Sequence, residues 1–193
     1  MFFRYRETGM ICERCLTNQL MTTKVPVVAK NIVQELKQTR PFPSKAQEVA
    51  VSLMRTADVL RRLVGAVVEP KGITVQQYNV LRILRGAGKE GLPTLDIAER
   101  MIETAPGITR LIDRLETKKL VSRERCPTDR RQVFCRITKS GLTLLDKLDA
   151  PMLEATDSAL GHLKKHELAS LIDLLDRTRE HGNRQFTERR RSQ

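Results

Sequence analysis

The segment TLDIAERMIETAPGITRLIDRLETKKLVSRERCPTDRRQVFCRITKSGL, residues 94–142, decides the fold of this chain. Its first half predicts two short helices, one capped by Thr94 and the next by Thr104. Residues 121–126 and 132–138 alternate between apolar and polar side chains, which predicts two β-strands around a basic turn. The order helix, turn, helix, strand, loop, strand is that of a winged helix-turn-helix. We therefore expect a mainly helical α+β fold with a wing of two or three strands.

Two helices are expected before this segment. Ser44 and Gln47 have the spacing of a capping box, and apolar residues recur every three to four positions from there to about residue 69. Thr74 and Gln77 repeat the capping-box spacing at the start of a second helix. A long helix and a shorter one should therefore lead into the winged segment.

Helices are also expected after the segment. Thr138 or Ser140 opens a long one, which Pro151 should kink or divide, because proline removes a backbone hydrogen bond and clashes with the preceding turn. A final helix follows and ends near residue 181.

The two ends of the chain are expected to lie outside the folded domain. Residues 1–43 keep no long apolar period and form an N-terminal extension, in which residues 31–38 could form a short helix. Residues 182–193 are strongly basic, and we predict that they are a disordered tail. The domain would then cover residues 44–181, with the winged helix-turn-helix at about 73–138.

The composition favours a helical protein with a polyanionic partner. Aromatic residues make up 4% of the 193 residues and tryptophan is absent, which argues against an all-β sandwich. The net charge of +12 and the isoelectric point near 10.0 suit nucleic acid. No apolar run approaches the roughly 20 residues needed to cross a bilayer, and the chain does not begin with a signal-peptide pattern. We therefore expect a cytoplasmic protein without a membrane partner, whose four cysteines are free thiols.

Residues 106–145, PGITRLIDRLETKKLVSRERCPTDRRQVFCRITKSGLTLL, resemble the MarR family of bacterial transcriptional regulators. The most specific elements are ITRLIDRLE, the DRR at the tip of the predicted hairpin, and the following IT-x-x-G. The resemblance covers roughly residues 44–180 and implies a homodimer whose dimerisation region is formed by the helices at about 44–69 and 139–181. It also implies binding to an operator in double-stranded DNA, usually repression, and release by a small aromatic or oxidising effector.

Basic and small residues gather at the second short helix and at the hairpin, where a winged helix touches DNA. The residues that we expect to contact DNA are Thr94, Thr104, Ala105, Pro106, Gly107, Thr109, Arg110, Arg114, Arg123, Asp129, Arg130 and Arg131. With Pro106 in its first turn, the helix has small side chains that let its backbone N–H groups approach phosphates. Thr109 and Arg110 are placed to reach base edges, since arginine has the fork geometry for guanine.

Several of these assignments have an alternative. Arg110 and Arg114 could form a solvated helix face. Arg114 could instead be held in a structural pair with Asp113 or with a wing arginine. At the wing tip an arginine would enter the minor groove, with Asp129 fixing its direction by hydrogen bonds. The sequence does not decide between Arg130 and Arg131 for that role, although the family pattern favours Arg131 as either clamped or inserted. Arg123 and Arg125 would contact phosphates or be solvated.

The cysteines allow a second kind of chemistry. Cys12 and Cys15 form an isolated CxxC, which without a second ligand pair is a weak indication of zinc or redox activity. Counting outward from the hairpin turn places Cys126 about opposite Cys135. This pair would be either two small buried hydrophobic residues or a redox switch that distorts the wing on oxidation.

No set of residues typical of catalysis or of a cofactor site occurs, so we expect no enzymatic activity and no cofactor. By resemblance, an effector pocket should lie between the first two long helices and the long helix that contains Pro151. Tyr78 would be its aromatic contact, or simply a core residue. We thus expect a dimeric regulator that binds a pseudo-palindromic operator with half-sites about 34 Å apart. The alternatives are an oxidation sensor of the same fold and a winged-helix module that binds protein or RNA.

Overall fold

The structure, a computed structural model, describes residues 30–104, 106–125 and 133–192. These residues belong to two compact units, one ending at Val49 and the other beginning at Ala50. The first unit contains the short helix α1, Ile32–Glu35, which Asn31 and Gln34 close with a reciprocal capping box. The short helix predicted around residues 31–38 is therefore confirmed.

The two helices predicted before the winged segment are present. Helix α2 spans Lys45–Val68, and the backbone N–H of Gln47 donates to the Ser44 hydroxyl at 3.2 Å. A 3-10 turn, Glu69–Lys71, follows and ends at Gly72, which has a φ of 74°. Helix α3 spans Val75–Ala87 and has the predicted capping box of Thr74 and Gln77. Local capping chemistry therefore sets both starting points.

The two short helices have the predicted order but begin elsewhere. Helix α4 spans Thr94–Arg100, so Thr94 is its first residue and not its cap, which is Pro93. Helix α5 spans Ile108–Thr117, and its cap is Gly107 with a φ of 94°. Thr104 was therefore wrongly predicted as a cap, and Pro106 precedes the helix. A left-handed glycine breaks the helical path at Gly107, and this overrides the threonine three residues earlier.

A three-stranded antiparallel sheet packs beside these helices. Strand β1 spans Leu92–Pro93, β2 spans Val121–Arg125 and β3 spans Val133–Ile137, in the order β1-β3-β2. The two predicted strands are thus confirmed, and the short strand before α4 completes the winged helix-turn-helix.

Helix α6 spans Lys139–Leu160 and is joined tightly to the sheet. The Thr138 hydroxyl accepts a hydrogen bond from the Gly141 N–H at 3.1 Å and donates to the Lys119 carbonyl at 2.8 Å. A Cβ on Gly141 would lie 2.4 Å from the Leu120 carbonyl oxygen, so only glycine allows this approach. Pro151 lies inside α6 and does not divide it. Leu145, Leu148 and Met152 are buried on both sides of the proline, and this packing outweighs the loss of one backbone hydrogen bond.

The last helix, α7, spans Lys165–Arg191. Its length overturns the prediction that residues 182–193 are a disordered tail, because the helix continues through Arg191. Ion pairs one turn apart, such as Arg177 with Asp173 and Arg184 with Glu180, offset part of the repulsion between its basic residues.

The core of the second unit joins α3, α4, α5, α6 and the sheet. The residues with no exposed surface are Val68, Val80, Leu81, Leu84, Ile97, Ile112, Leu115, Cys135, Leu145 and Leu148. Across the ranges that the structure describes, none of the helices combines the length and the hydropathy needed to span a membrane.

Candidate nucleic-acid interface

Helix α5 has one buried face and one exposed face. Ile112 and Leu115 are completely buried, whereas Thr109, Arg110 and Arg114 are exposed. A spacing of four residues puts the two arginines on the same side of the helix. Within residues 30–104, 106–125 and 133–192, neither arginine takes part in an ion pair. Their charges are therefore available to a partner from outside the chain.

The beginning of α5 has no side-chain cap. Gly107 occupies the N-cap position, so no side chain there accepts a hydrogen bond from the first backbone N–H groups. Those groups carry the positive end of the helix dipole and are suited to anions. Thr104 and Pro106, which we expected inside the first turn, lie just before it and are exposed. Ala105 lies outside the described residues.

Arg123 ties the wing to α5. Its Nε donates to a Glu116 carboxylate oxygen at 2.9 Å, and a terminal nitrogen donates to Asp113. The hydrogen bond to Asp113 is the main reason why the pKa of Arg123 is raised, and the bond to Glu116 adds to it. Its side chain is only 24% exposed. Arg123 is therefore not fully solvated, and its contact with a phosphate stays a prediction.

The same contacts settle the partner of Asp113. We considered a pair between Arg114 and Asp113, but that pair does not form because Asp113 binds Arg123 instead. Asp113 and Glu116 lie three residues apart on α5, and both therefore point at the strand. Sequence reasoning missed Glu116, since nothing local indicates that a helix carboxylate meets a strand arginine.

The register of the wing corrects the expected cysteine pair. Strand β3 places Cys135 opposite Arg123 of β2, not opposite Cys126. Arg125 is paired with Val133, so the register differs from the one that the count from the hairpin tip assumed. Cys135 is completely buried, its Sγ lies 3.8 Å from the Thr94 hydroxyl, and burial raises the pKa of its thiol. Cys135 is thus a small buried residue that contacts the start of α4.

Several of the residues singled out in the sequence lie outside the ranges that the structure describes. They are Cys12, Cys15, Ala105, Cys126, Asp129, Arg130 and Arg131. Arg125 is exposed at the end of β2, directly before the wing tip. Arg136, on β3, binds Glu124 and donates to the Lys89 carbonyl at 3.0 Å.

A cavity of about 300 Å³ lies beside the interface. It is open to solvent on one side and is lined by residues of α2, α3, the segment between α4 and α5, and α5 itself. Tyr78, which we considered as an effector contact, does not line it. Tyr78 is 6% exposed in the core, with the Arg82 guanidinium 5.9 Å from the centre of its ring. The core assignment therefore fits Tyr78.

Comparison with known proteins identifies the family of this winged helix-turn-helix chain. A family model described as "MarR family" matches residues 71–132. The crystal structure of a MarR transcription factor from Planctomyces limnophilus has 42% sequence identity and a TM-score of 0.55, covering 70% of this chain and 98% of that one. The chain belongs to the MarR family.

Two further structures share the fold of this MarR-family chain. Staphylococcus aureus MepR, solved as a DNA complex, is 23% identical with a TM-score of 0.63, over 68% of this chain and 96% of MepR. CouR from Rhodococcus jostii RHA1, solved with p-coumaroyl-CoA, is 25% identical with a TM-score of 0.60, over 69% of this chain and 93% of CouR. As a member of the MarR family, the chain is a transcriptional regulator with a DNA-binding winged-helix fold.

Proposed function

We propose that this MarR-family protein is a dimeric repressor that binds a pseudo-palindromic operator in double-stranded DNA and is released by a small effector. The observation that carries the DNA contact is that Arg110 and Arg114 on α5 are exposed and have no ion-pair partner among the described residues, whereas the opposite face of the helix is buried. A helix in this situation can enter the major groove without losing its packing. Thr109 and Arg110 would read base edges, and Arg114 would bind a phosphate.

The backbone at the start of α5 supplies a second contact. Because Gly107 leaves the first N–H groups without a side-chain acceptor, they are free to bind a phosphate of the operator. Thr104 and Pro106 flank this position and present no charge that would repel the duplex. The arginines of the wing tip, Arg130 and Arg131, remain proposals for the minor groove.

Dimerisation is supported by apolar surface on the helices at the two ends of the domain. Exposed apolar residues there are Met54 of α2, Leu153 of α6, and Ile172, Leu174 and Phe186 of α7, each at least 55% exposed. Helix α7 has no buried residue over its 27 residues. An amphipathic helix of this length gains its stability from packing, so a second copy of the chain is the natural partner.

The dimer can be tested by sedimentation. Ile172→Glu should produce a monomer at concentrations where the unmodified protein is a dimer, because it buries a charge in the proposed interface. Leu95→Glu is the matched control, since Leu95 is 76% exposed but lies on α4. Equal dimer content in both variants would contradict the assignment of α7.

The effector site that we propose is the 300 Å³ cavity, whose size lies within the usual range for small-molecule pockets. Val75, Met101 and Leu111 supply apolar walls. Arg61 and Arg114 supply positive charge and Glu69 and Glu103 negative charge, so the lining suits a small effector with an apolar body and polar groups. CouR, which binds p-coumaroyl-CoA, gives a precedent among the proteins with this fold.

Repression would follow from occupancy of the operator, and an effector in the cavity would lower occupancy by moving α5. Since the proposed target is genomic DNA, we propose a cytoplasmic protein. The register of the described strands places Cys135 opposite Arg123 and not opposite Cys126, so it gives no support to the oxidation sensor. A protein or RNA partner remains an outcome of the test.

The deciding experiment selects bound fragments from genomic DNA and then measures affinity by fluorescence anisotropy between 50 mM and 300 mM salt. We expect one palindromic duplex to be preferred over random DNA, with affinity falling steeply as salt rises. Equal affinity for the selected duplex, random duplex and an RNA hairpin would contradict the proposal. A transcription assay on the selected promoter then distinguishes repression from activation.

A further inference from the structure

The segment between α4 and α5 is anchored by residues outside the helix-turn-helix. The Asn79 side chain on α3 accepts a hydrogen bond from the Ile102 backbone N–H at 2.9 Å. The Arg61 guanidinium on α2 donates from Nε to a Glu103 carboxylate oxygen at 2.8 Å, and its terminal nitrogen lies 2.8 Å from the same oxygen. We refer to Arg61, Asn79, Ile102 and Glu103 as the clasp.

The clasp adds polar contacts to the start of α5, where Met101 and Ile108 supply apolar packing against the core. The second half of α5 is held by Arg123 through Asp113 and Glu116, but its first residue follows Gly107, which provides no side-chain cap. Burial of Ile102 does not hold the segment either, because that side chain is 81% exposed. Among the described residues, the contacts of the clasp are therefore the polar side-chain restraint on the approach to α5, and they add directionality to the packing of Met101 and Ile108.

The charge of Glu103 needs an explanation of its own. It lies four residues before Gly107, close to the surface proposed to meet DNA, where a carboxylate weakens binding to phosphates. The pair is also a poor source of stability, since the Arg61 and Glu103 side chains are 48% and 45% exposed. A role in setting the position of the segment accounts for both features.

We propose that the clasp is a positioning device that fixes the start of α5 relative to α2 and thereby sets the spacing of the two recognition helices in the dimer. This inference rests on the proposed function, because α2 must belong to the dimerisation region. All four clasp residues also line the 300 Å³ cavity. An occupant of the cavity therefore acts on α5 through the clasp.

The sign of one substitution separates positioning from simple electrostatics. Glu103→Gln removes a negative charge, and electrostatics alone predicts that DNA affinity stays equal or rises. If the clasp positions α5, affinity falls instead, by about threefold to tenfold, because the lost restraint acts in both subunits of the dimer. Glu99→Gln is the matched control: Glu99 is an exposed carboxylate on α4 outside the clasp.

The experiment measures anisotropy of the full-length dimer on the selected operator and on operators with half-sites one base pair closer and one farther apart. We expect Glu103→Gln to lose affinity mainly for the native spacing, so that discrimination between spacings falls. The double reversal Arg61→Glu with Glu103→Arg should restore both properties. Thermal melting of each variant verifies that the fold is intact.

Three results would overturn the clasp. In the first, Glu103→Gln and Glu99→Gln have the same DNA affinity. In the second, Glu103→Gln loses the same affinity for operators of all three half-site spacings. In the third, the double reversal is folded but does not restore the preference for the native spacing. Asp58→Asn adds a second control, since Asp58 is the other partner of Arg61, at 3.6 Å. It should leave spacing discrimination unchanged. The proposed function fails differently, since the unmodified protein would then prefer none of the three duplexes over random DNA.

Discussion

Replacing Gly107 by alanine tests whether the backbone at the start of α5 binds DNA. Gly107 has a φ of 94° and a ψ of 30°, a left-handed conformation that costs an alanine about 1–2 kcal/mol. A Cβ built there has no atom within 4 Å, so the cost comes from the backbone and not from collision. We expect the free energy of unfolding to fall by this amount, which lowers the melting temperature by about 2–8 °C.

Gly72 offers a matched control. Its φ of 74° and ψ of 20° are also left-handed, and a Cβ there also meets no atom within 4 Å. Gly72→Ala should therefore have a similar cost in stability. It lies in the turn before α3, where its carbonyl accepts a hydrogen bond from Lys118 at the C-terminal end of α5, away from the first residues of that helix. It should therefore leave DNA affinity unchanged.

The two variants should differ in DNA binding. Strain at Gly107 is relieved when the residue moves toward right-handed angles, and this turns the first N–H groups of α5 away from their phosphate. A lost hydrogen bond to a charged group corresponds to about 1.5–3 kcal/mol, so we expect affinity to fall at least tenfold. Anisotropy with the selected operator measures affinity, and circular dichroism measures melting. Equal DNA affinity of the two alanine variants would refute the argument.

Three further predictions concern a wing arginine, the loss of stability at acid pH and the buried thiol of Cys135. Arg131→Ala should reduce the salt slope of DNA binding by about one unit, and an unchanged slope and affinity would place this wing arginine away from DNA. Asp149 accepts a bidentate hydrogen bond from Arg85, which lowers the pKa of Asp149 below its usual 3.8. The pair therefore contributes stability above about pH 4, and this contribution is lost as pH falls through the lowered pKa of Asp149. Between pH 6 and pH 2, the melting temperature of Asp149→Asn should therefore fall less than that of the unmodified protein. Cys135 should resist alkylation at pH 7 in the native protein and react after unfolding, because burial raises the pKa of its thiol. Mass spectrometry of labelled peptides checks this, and rapid native labelling would contradict its burial.

The elements that the sequence predicted well have strong local causes. The capping box of α3 needs only two residues three positions apart, and the apolar period of α5 needs only one helix face. The start of α5 was placed at Thr104 because threonine is a good cap, whereas the observed cap depends on a left-handed backbone at Gly107. Glycine permits that conformation without requiring it, so sequence alone could not choose between the two.

The errors in the candidate site arise from contacts between distant residues. The Arg123 contacts with Asp113 and Glu116 depend on the strand register, and the same register excludes the expected cysteine pair. Arg61 and Glu103 are 42 residues apart, and no periodicity links them. Sequence patterns identify which residues carry charge, but the fold decides which charges neutralise one another.

This distinction changes how the positive charge of the chain should be understood. A net charge of +12 predicts a polyanionic partner but does not say which arginines meet it. Arg61, Arg85, Arg123 and Arg136 are each bound to a carboxylate within the chain and serve to orient its elements. Arg110 and Arg114 have no such partner among the described residues, although they lie on the same helix as Asp113 and Glu116. Because Arg123 takes up both carboxylates, α5 can present a positive face to DNA despite its balanced composition. We therefore predict that the wing contributes to DNA binding twice, through the arginines of its tip and through the two carboxylates of α5 that Arg123 neutralises.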